Sequence, residues 1–410
     1  MFNEKVLNFV NSVEKDCDEV FKKLEDICLF NQAKMLKAFQ DVNLQLADIA
    51  SSTGYGGEDR AKGKLGEIYA QVFGAEFGIV SPLIASGTHA LTIALFGILR
   101  PDDVMLSVTG KPYDTLLGVI FGEGNGSLKD FKVKYDDVEL INNNFDFDKI
   151  KEKVESLNPK MIYIQRSRGY TSRESLSVEK IEKLVKFIRE FNKEIIIMVD
   201  NCYGEFVEKF EPTDVGVDVM VGSLIKNAGG GIAPTGAYIV GKKHIVEMVS
   251  SRFIAPNIGL DVGSYAGSYT PFFQGCFLAP HVTLNALKGN ILLGRVAEKL
   301  GFVSYPKFGD MPHDLVRTFE MKTADNLIEF CRLIQKYSPV DSSVVPYPWD
   351  MPGYEDKVIM AAGSFIQGSS IELSADGPIR EPYLAYLQGG LTYEHLKIVA
   401  INFAEKYLND

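Results

Sequence analysis

The run Ser223-Leu224-Ile225-Lys226-Asn227-Ala228-Gly229-Gly230-Gly231 sets a lysine just past an apolar stretch, beside a hydroxyl and three consecutive glycines. Apolar surroundings disfavour the charged form of a lysine, which lowers its pKa and frees the amine to attack a carbonyl. The plainer alternative is a solvated lysine ahead of a flexible loop, and this segment alone leaves both open. A second run, Val199-Asp200-Asn201-Cys202-Tyr203-Gly204-Glu205, puts an aspartate at the end of a β-type stretch, where open α/β sheets place ligands. That carboxylate either caps the following segment or holds a cationic ring nitrogen. A third, Ser86-Gly87-Thr88-His89, opens a helix after a strand, so its N–H groups and hydroxyls suit an anion, or Ser86 is an ordinary N-cap.

These three runs need a scaffold that brings strand ends together. Gly78 to Leu83, Val104 to Val108, Met161 to Ile164, Glu194 to Val199, Val217 to Val221 and Gly236 to Val240 read as strands, and Thr88 to Leu99 reads as a helix. Ser177 to Asn192 has apolar residues at Ile181, Leu184, Val185 and Ile188, with Ser177 as N-cap. Strands alternating with helices imply βαβ units and a mainly parallel sheet covered on both faces. Before residue 51, the apolar spacing of Val6, Phe9, Val10 and Val13, then Val20, Phe21, Leu24, Ile27 and Cys28, predicts helical arms that pack on another unit. Beyond about residue 286 come longer helices, a loop at Pro339 to Pro352, a strand at Ser369 to Ser374 and a helix from Tyr393. The expected organisation is therefore a helical arm (1–50), a large α/β domain (51–285) and a smaller α+β domain (286–410).

The 410 residues include 43 basic and 54 acidic side chains, for a net charge of −11. That balance argues against nucleic acid and anionic membranes as partners, since both are polyanions. No apolar run is long enough to span a bilayer and no export leader is visible, so a cytoplasmic protein is expected. Five scattered cysteines with no C-x-x-C and five dispersed histidines suggest neither disulfides nor a metal site, and His89 and His281 read as structural. The absence of G-x-x-x-x-G-K-[ST] and of G-x-G-x-x-G after the first strand sets aside a P-loop and a nicotinamide-dependent dehydrogenase.

Together, a phosphate cradle, a carboxylate for a pyridinium and a lysine match the needs of pyridoxal phosphate. The segments SGTHAL, GKPYDTL, VDNCYGEFVE and GSLIKNAGGG resemble those of fold-type-I pyridoxal-phosphate enzymes. With IQRSRGYTSRESL, QGCFLAPHV, MPGYEDKVIMAAGSFIQGSSIELSADGPIREPY and LQGGLTYEH, the chain from about Ser51 onward is most similar to the aluminium-resistance or methionine γ-lyase-like family, relatives of the cystathionine β- and γ-lyases. The resemblance implies a mainly parallel, seven-stranded-type sheet with a smaller α+β domain, in a homo-oligomer (dimer or tetramer) with shared active sites.

It further implies that Lys226 binds the cofactor covalently and shuttles protons, and that Asp200 pairs with the pyridine nitrogen. Ser86, Gly87, Thr88 and Ser223 would hold the phosphate, and Tyr113 would stack on the ring and act in the elimination. In the resembling lyases a Tyr-x-Arg pair reaches the neighbouring subunit's phosphate, whereas here Tyr55 and Arg60 stand five apart. Ile225 replaces a threonine, and Glu372 stands where those lyases carry the arginine for the substrate carboxylate. Arg380 is the first candidate for that duty, with Arg168 and Arg166 as alternatives and surface or interdomain ion pairing as the plainer role. The glycines at 54–57, 87 and 229–231 are expected where backbone approaches the phosphorylated ring. The implied activity is cleavage of a carbon–sulfur bond by β- or γ-elimination. An aldolase or transaminase on the same fold, or a non-catalytic pyridoxal-phosphate-binding protein linked to metal tolerance, are the alternatives.

Overall fold

The computed structural model of the chain describes residues 2–408 apart from 58, 170, 172 and 352–354, so Tyr170, Ser172 and the end of the Pro339 to Pro352 loop lie outside the described residues. Its helices are α1 (Glu4–Asp16), α2 (Asp18–Asp41), α3 (Arg60–Val72), α4 (Gly87–Ile98), α5 (Asp114–Phe121), α6 (Phe147–Leu157), α7 (Val178–Phe191), α8 (Lys243–Phe253), α9 (Thr270–Lys299), α10 (Ala324–Lys336) and α11 (Tyr393–Tyr407). The first sheet is built from β1 (Phe77–Ser81), β2 (Val104–Ser107), β3 (Lys134–Asp137), β4 (Met161–Gln165), β5 (Ile196–Asp200), β6 (Val219–Ser223) and β7 (Ala237–Gly241). Its order is β1-β7-β6-β5-β4-β2-β3, with β7 alone running against its neighbours β1 and β6. A second sheet, antiparallel throughout, contains β8 (Val303–Tyr305), β9 (Arg317–Glu320), β10 (Val358–Ala362), β11 (Ser374–Pro378) and β12 (Leu384–Gln388) in the order β10-β11-β12-β9-β8.

The central strands carry apolar or small side chains on both faces because helices cover both faces. Every residue of β4, β5, β6 and β7 is buried. On one side Leu91, Leu95 and Val249 pack against Met198 and Val221, and on the other Leu184 and Ile188 pack against Ile162 and Ile197. Ser177 caps α7 as expected, its Oγ accepting from Lys180 N at 3.1 Å. The register places Asp200 opposite both Gln165 and Val221, so the ends of β4, β5 and β6 lie along one sheet edge.

The N-terminal arms are helical, and Val6, Val10, Val13, Val20 and Leu24 are buried in one cluster with residues of α9, α11 and the second sheet. Helix α9 runs unbroken for 30 residues, and the 285/286 division falls within it. The strand expected at Ser369 to Ser374 instead begins at Ser374, because residues 364–372 form a loop tied internally by Glu372. The edge strand β3, sequence KYDD, shows no apolar alternation; Lys134 is exposed and the other three residues are partly buried. No helix among the described residues is long and apolar enough to cross a membrane.

Candidate active site

Lys226 follows β6 and leads into a short 3-10 turn at Asn227–Gly229. Its Nζ donates to Ser370 Oγ at 3.0 Å and sits 3.7 Å from the centroid of the Tyr203 ring. Burial works against the ammonium, but Tyr203, Cys202 and Asp200 outweigh it and hold Lys226 above the usual lysine value. This corrects the sequence expectation of a lowered pKa, since the surroundings of the amine are electron-rich rather than apolar.

Asp200 closes β5 and is 4% exposed. Its Oδ1 accepts from Cys202 N at 3.1 Å, while burial pushes the carboxyl above the ordinary aspartate value. A buried carboxyl of this kind ionises readily only opposite a cation. Tyr113 caps α5 by position, and its backbone N–H donates to Gln165 Oε1 at 3.0 Å. Its phenol lies 3.0 Å from Thr88 Oγ1, and burial, then Asp200, raises the phenol so that it stays protonated at neutral pH.

Ser86 caps α4, its Oγ accepting from His89 N at 3.1 Å and leaving the hydroxyl proton free to donate elsewhere. Ser223 behaves alike, with its Oγ accepting from Ile225 N at 3.3 Å. A Cβ built on Gly87 would stand 3.4 Å from Cys202 Sγ and 3.5 Å from Ser223 Cβ, so the first turn of α4, the end of β6 and the residue after Asn201 enclose one concavity. A helix N-terminus with two hydroxyl donors, a desolvated carboxyl, a tyrosine face and a lysine together fit pyridoxal phosphate: Ser86, Gly87, Thr88 and Ser223 would hold the phosphate, Tyr113 and Asp200 the ring, and Lys226 the carbonyl carbon.

The fold treats the remaining candidates differently. Tyr55 is 83% exposed on a loop fastened to residues 264 and 265, and Arg60 is ion-paired with Asp48 at 3.5 Å. Arg380 is exposed and ion-paired with Asp356 at 3.2 Å. Arg166 is buried and saturated by Leu176 O, Asn201 Oδ1, Gly204 O, Glu208 and Glu211, which makes it a structural tie between β4 and the 201–211 segment. Arg168 is 1% exposed and donates to Thr318 Oγ1 at 3.3 Å.

Glu372 accepts Phe365 N at 2.8 Å and Ile366 N at 2.9 Å, fixing the loop that presents Ser370 to Lys226. The glycines at 229–231 do not face the cradle, contrary to the sequence expectation. A Cβ at Gly229 would meet Leu224 O at 1.8 Å within its own turn, one at Gly230 (φ +58°) would meet Gly275 O of α9 at 2.3 Å, and one at Gly231 would meet Leu391 Cδ2 at 2.3 Å. Sequence reading missed Tyr203 and Ser370. Tyr203 sits beside Asp200 in the quoted motif, but its φ of +75° and its closeness to the lysine are tertiary facts.

The chain matches the model of the methionine gamma-lyase family over residues 6–408. It is 50% identical over 391 residues, covering 94% of this chain and 92% of the other, to the uncharacterized protein YnbB of Bacillus subtilis (strain 168). The solved carbon–sulfur lyase involved in aluminium resistance from Clostridium novyi NT superposes with a TM-score of 0.94 at 46% identity, covering 99% of this chain and 96% of that one. The pyridoxal-5'-phosphate-dependent protein YhfS of Escherichia coli shares the fold, with a TM-score of 0.64 at 13% identity and 94% and 97% coverage. The match over residues 6–408 and the seven-stranded, mostly parallel sheet show that the chain belongs to the methionine gamma-lyase family and has the fold of the fold-type-I pyridoxal-phosphate enzymes.

Proposed function

We propose that the chain is a pyridoxal-phosphate-dependent carbon–sulfur lyase that splits a sulfur amino acid by β- or γ-elimination, releasing a 2-oxo acid and ammonia. The observation that supports this best is the convergence on Lys226: its amine is held by Ser370 and Tyr203 within the electrostatic reach of Asp200. Bound pyridoxal phosphate supplies an electron sink for the pair left at the substrate Cα. Asp200 would hold a proton at the ring nitrogen of the bound group. Lys226 Nζ would take the Cα proton, with Ser370 Oγ and the Tyr203 ring fixing where the nitrogen stands. Tyr113, whose phenol stays protonated, offers its proton to the departing sulfur and its face to the ring. Tyr55, projecting into solvent, is available to a second copy, and we infer a dimer or tetramer in which it completes the neighbour's phosphate site.

Purified protein is expected to be yellow, and borohydride should fix the cofactor to the peptide containing Lys226. A label on any other lysine overturns the assignment. Cystathionine, methionine, homocysteine, cysteine and threonine are then screened for oxo-acid release. Oxo acid from a sulfur amino acid supports the lyase, glycine and acetaldehyde from threonine alone would favour the aldolase, and none of these products from cofactor-loaded protein would favour a non-catalytic binder.

A further inference from the structure

Arg168 presents an unusual electrostatic problem. Its side chain is buried, its Nη1 donates to Thr318 Oγ1, and its Nε and Nη2 have no hydrogen-bond partner among the described residues. Buried guanidinium donors are costly to leave unpaired. No carboxylate among the described residues lies within ion-pairing distance of it. Two more guanidiniums close by make the deficit larger. Arg173 donates to the carbonyls of Gln165, Ser167 and Glu174, and Arg317 donates to Ser304 Oγ and Pro306 O, so neither is ion-paired among the described residues. Burial first, and the charge of Arg168 to a smaller degree, lower both to about 10 against the opposing pull of Asp314 and Glu298. Asp314 offsets part of this charge, but one of its oxygens is itself unpartnered. Glu139, Glu298 and Asp310 offset more of it, so what is left open among the described residues is the Nε and Nη2 edge of Arg168.

The unpaired atoms have a meaningful geometry. Nε and Nη2 form the side-on edge of a guanidinium, two parallel N–H donors matched to the two oxygens of a carboxylate. The edge is also placed with respect to the lysine. Arg168 lies three residues beyond Gln165, which pairs with Asp200 and holds Tyr113 N. Thr318, its one partner, lies three residues after Leu315, whose N donates to Tyr203 O beneath Lys226. Arg380 offers no such edge, being exposed and already paired. Glu372, whose two oxygens accept backbone N–H groups, serves its loop.

We propose that Arg168 binds the α-carboxylate of the amino-acid substrate through its Nε and Nη2, so that carboxylate anchoring has moved from the position of Glu372 on the second sheet to the segment after β4. This rests on the pyridoxal-phosphate reading above. Aminooxyacetate and methoxyamine both capture the cofactor carbonyl and differ only in the carboxylate, so the ratio of their capture rates, followed by absorbance, isolates the anchor without turnover. Relative to free pyridoxal phosphate, wild type should favour aminooxyacetate by about 10- to 100-fold, the worth of a bidentate charged pair. Arg168→Gln should abolish the preference, Arg168→Lys should keep a small part of it, and Arg380→Ala should leave it intact. Acetate should slow aminooxyacetate but not methoxyamine on wild type, a measurement that does not depend on any variant folding.

A wild-type preference retained by Arg168→Gln, a preference lost in Arg380→Ala, or acetate acting equally on both reagents overturns the proposal. If wild type takes up no pyridoxal phosphate, the lyase reading fails by itself. The anion site is then read from acetate raising the Tm of wild type but not of Arg168→Lys, and an equal rise in both refutes it.

Discussion

Glu205 shows how much one side chain can tell about this site. It is fully buried, its Oε1 accepts from Tyr238 OH at 2.8 Å, its Oε2 is unpartnered, and burial raises it to about 8. An acid whose folded pKa lies above its unfolded value of 4.5 binds an extra proton in the folded chain between about 4.5 and about 8, so stability falls as pH rises through that window. Glu205→Gln keeps the acceptor for Tyr238 and needs no proton. It should therefore be more stable than wild type near pH 7 by about 1–3 kcal/mol and have a flatter pH dependence. Urea unfolding at about pH 5 and about pH 8 checks this; an unchanged slope would mean that the carboxyl is ionised in the fold. Tyr203 holds the same segment in a left-handed conformation (φ +75°) that costs a tyrosine about 1–2 kcal/mol. Tyr203→Gly should relieve the strain yet weaken cofactor retention, because the ring beneath Lys226 is gone. Retention equal to wild type would show that the ring does not position the amine.

Among the elements, the loop at 364–372 governs the lysine most directly. Glu372→Ala leaves two backbone N–H groups without their acceptor and should cost about 2–4 kcal/mol, with loss of bound cofactor because Ser370 is no longer presented. Arginine at 372, as in the resembling lyases, would oppose two N–H donors and should be no milder. Calorimetry with a cofactor titration measures both effects. In the parallel core, β5, β6 and α7 were legible because apolar runs and an N-cap serine are local facts. Strand β3 was not, since KYDD at a sheet edge has no face to bury. The false strand at 369–374 reads as β-prone, and only the two bonds to Glu372 show why it bends. Lys226, Asp200, Ser86, Gly87, Thr88, Ser223 and Tyr113 were named from motifs, and the structure gathers them. The run Gly229 to Gly231 was assigned to the wrong neighbour because a glycine declares close approach but not what approaches. For Gly229 and Gly230 it is α9, a Cβ at Gly275 lying 2.2 Å from Gly229 O, and for Gly231 it is Leu391.

At the scale of the molecule, α9 packs against the lysine turn at one end and lies between the N-terminal arms, α11 and the second sheet along the rest of its length. Val10→Asp puts a charge among fully buried residues of that cluster and should cost more than about 3 kcal/mol. Both sheets should be lost in one transition, with near- and far-UV dichroism coincident; separate transitions would show that α9 does not couple them. Lys226 belongs to the first sheet, while Ser370, Leu315 and Thr318, which touch the lysine, its tyrosine and Arg168, belong to the second sheet or its loops. The reactive amine is thus assembled only when the two sheets are seated on each other. Because both sheets go in one transition, the amine parts from its partners in that same step, and no partly unfolded molecule keeps it armed.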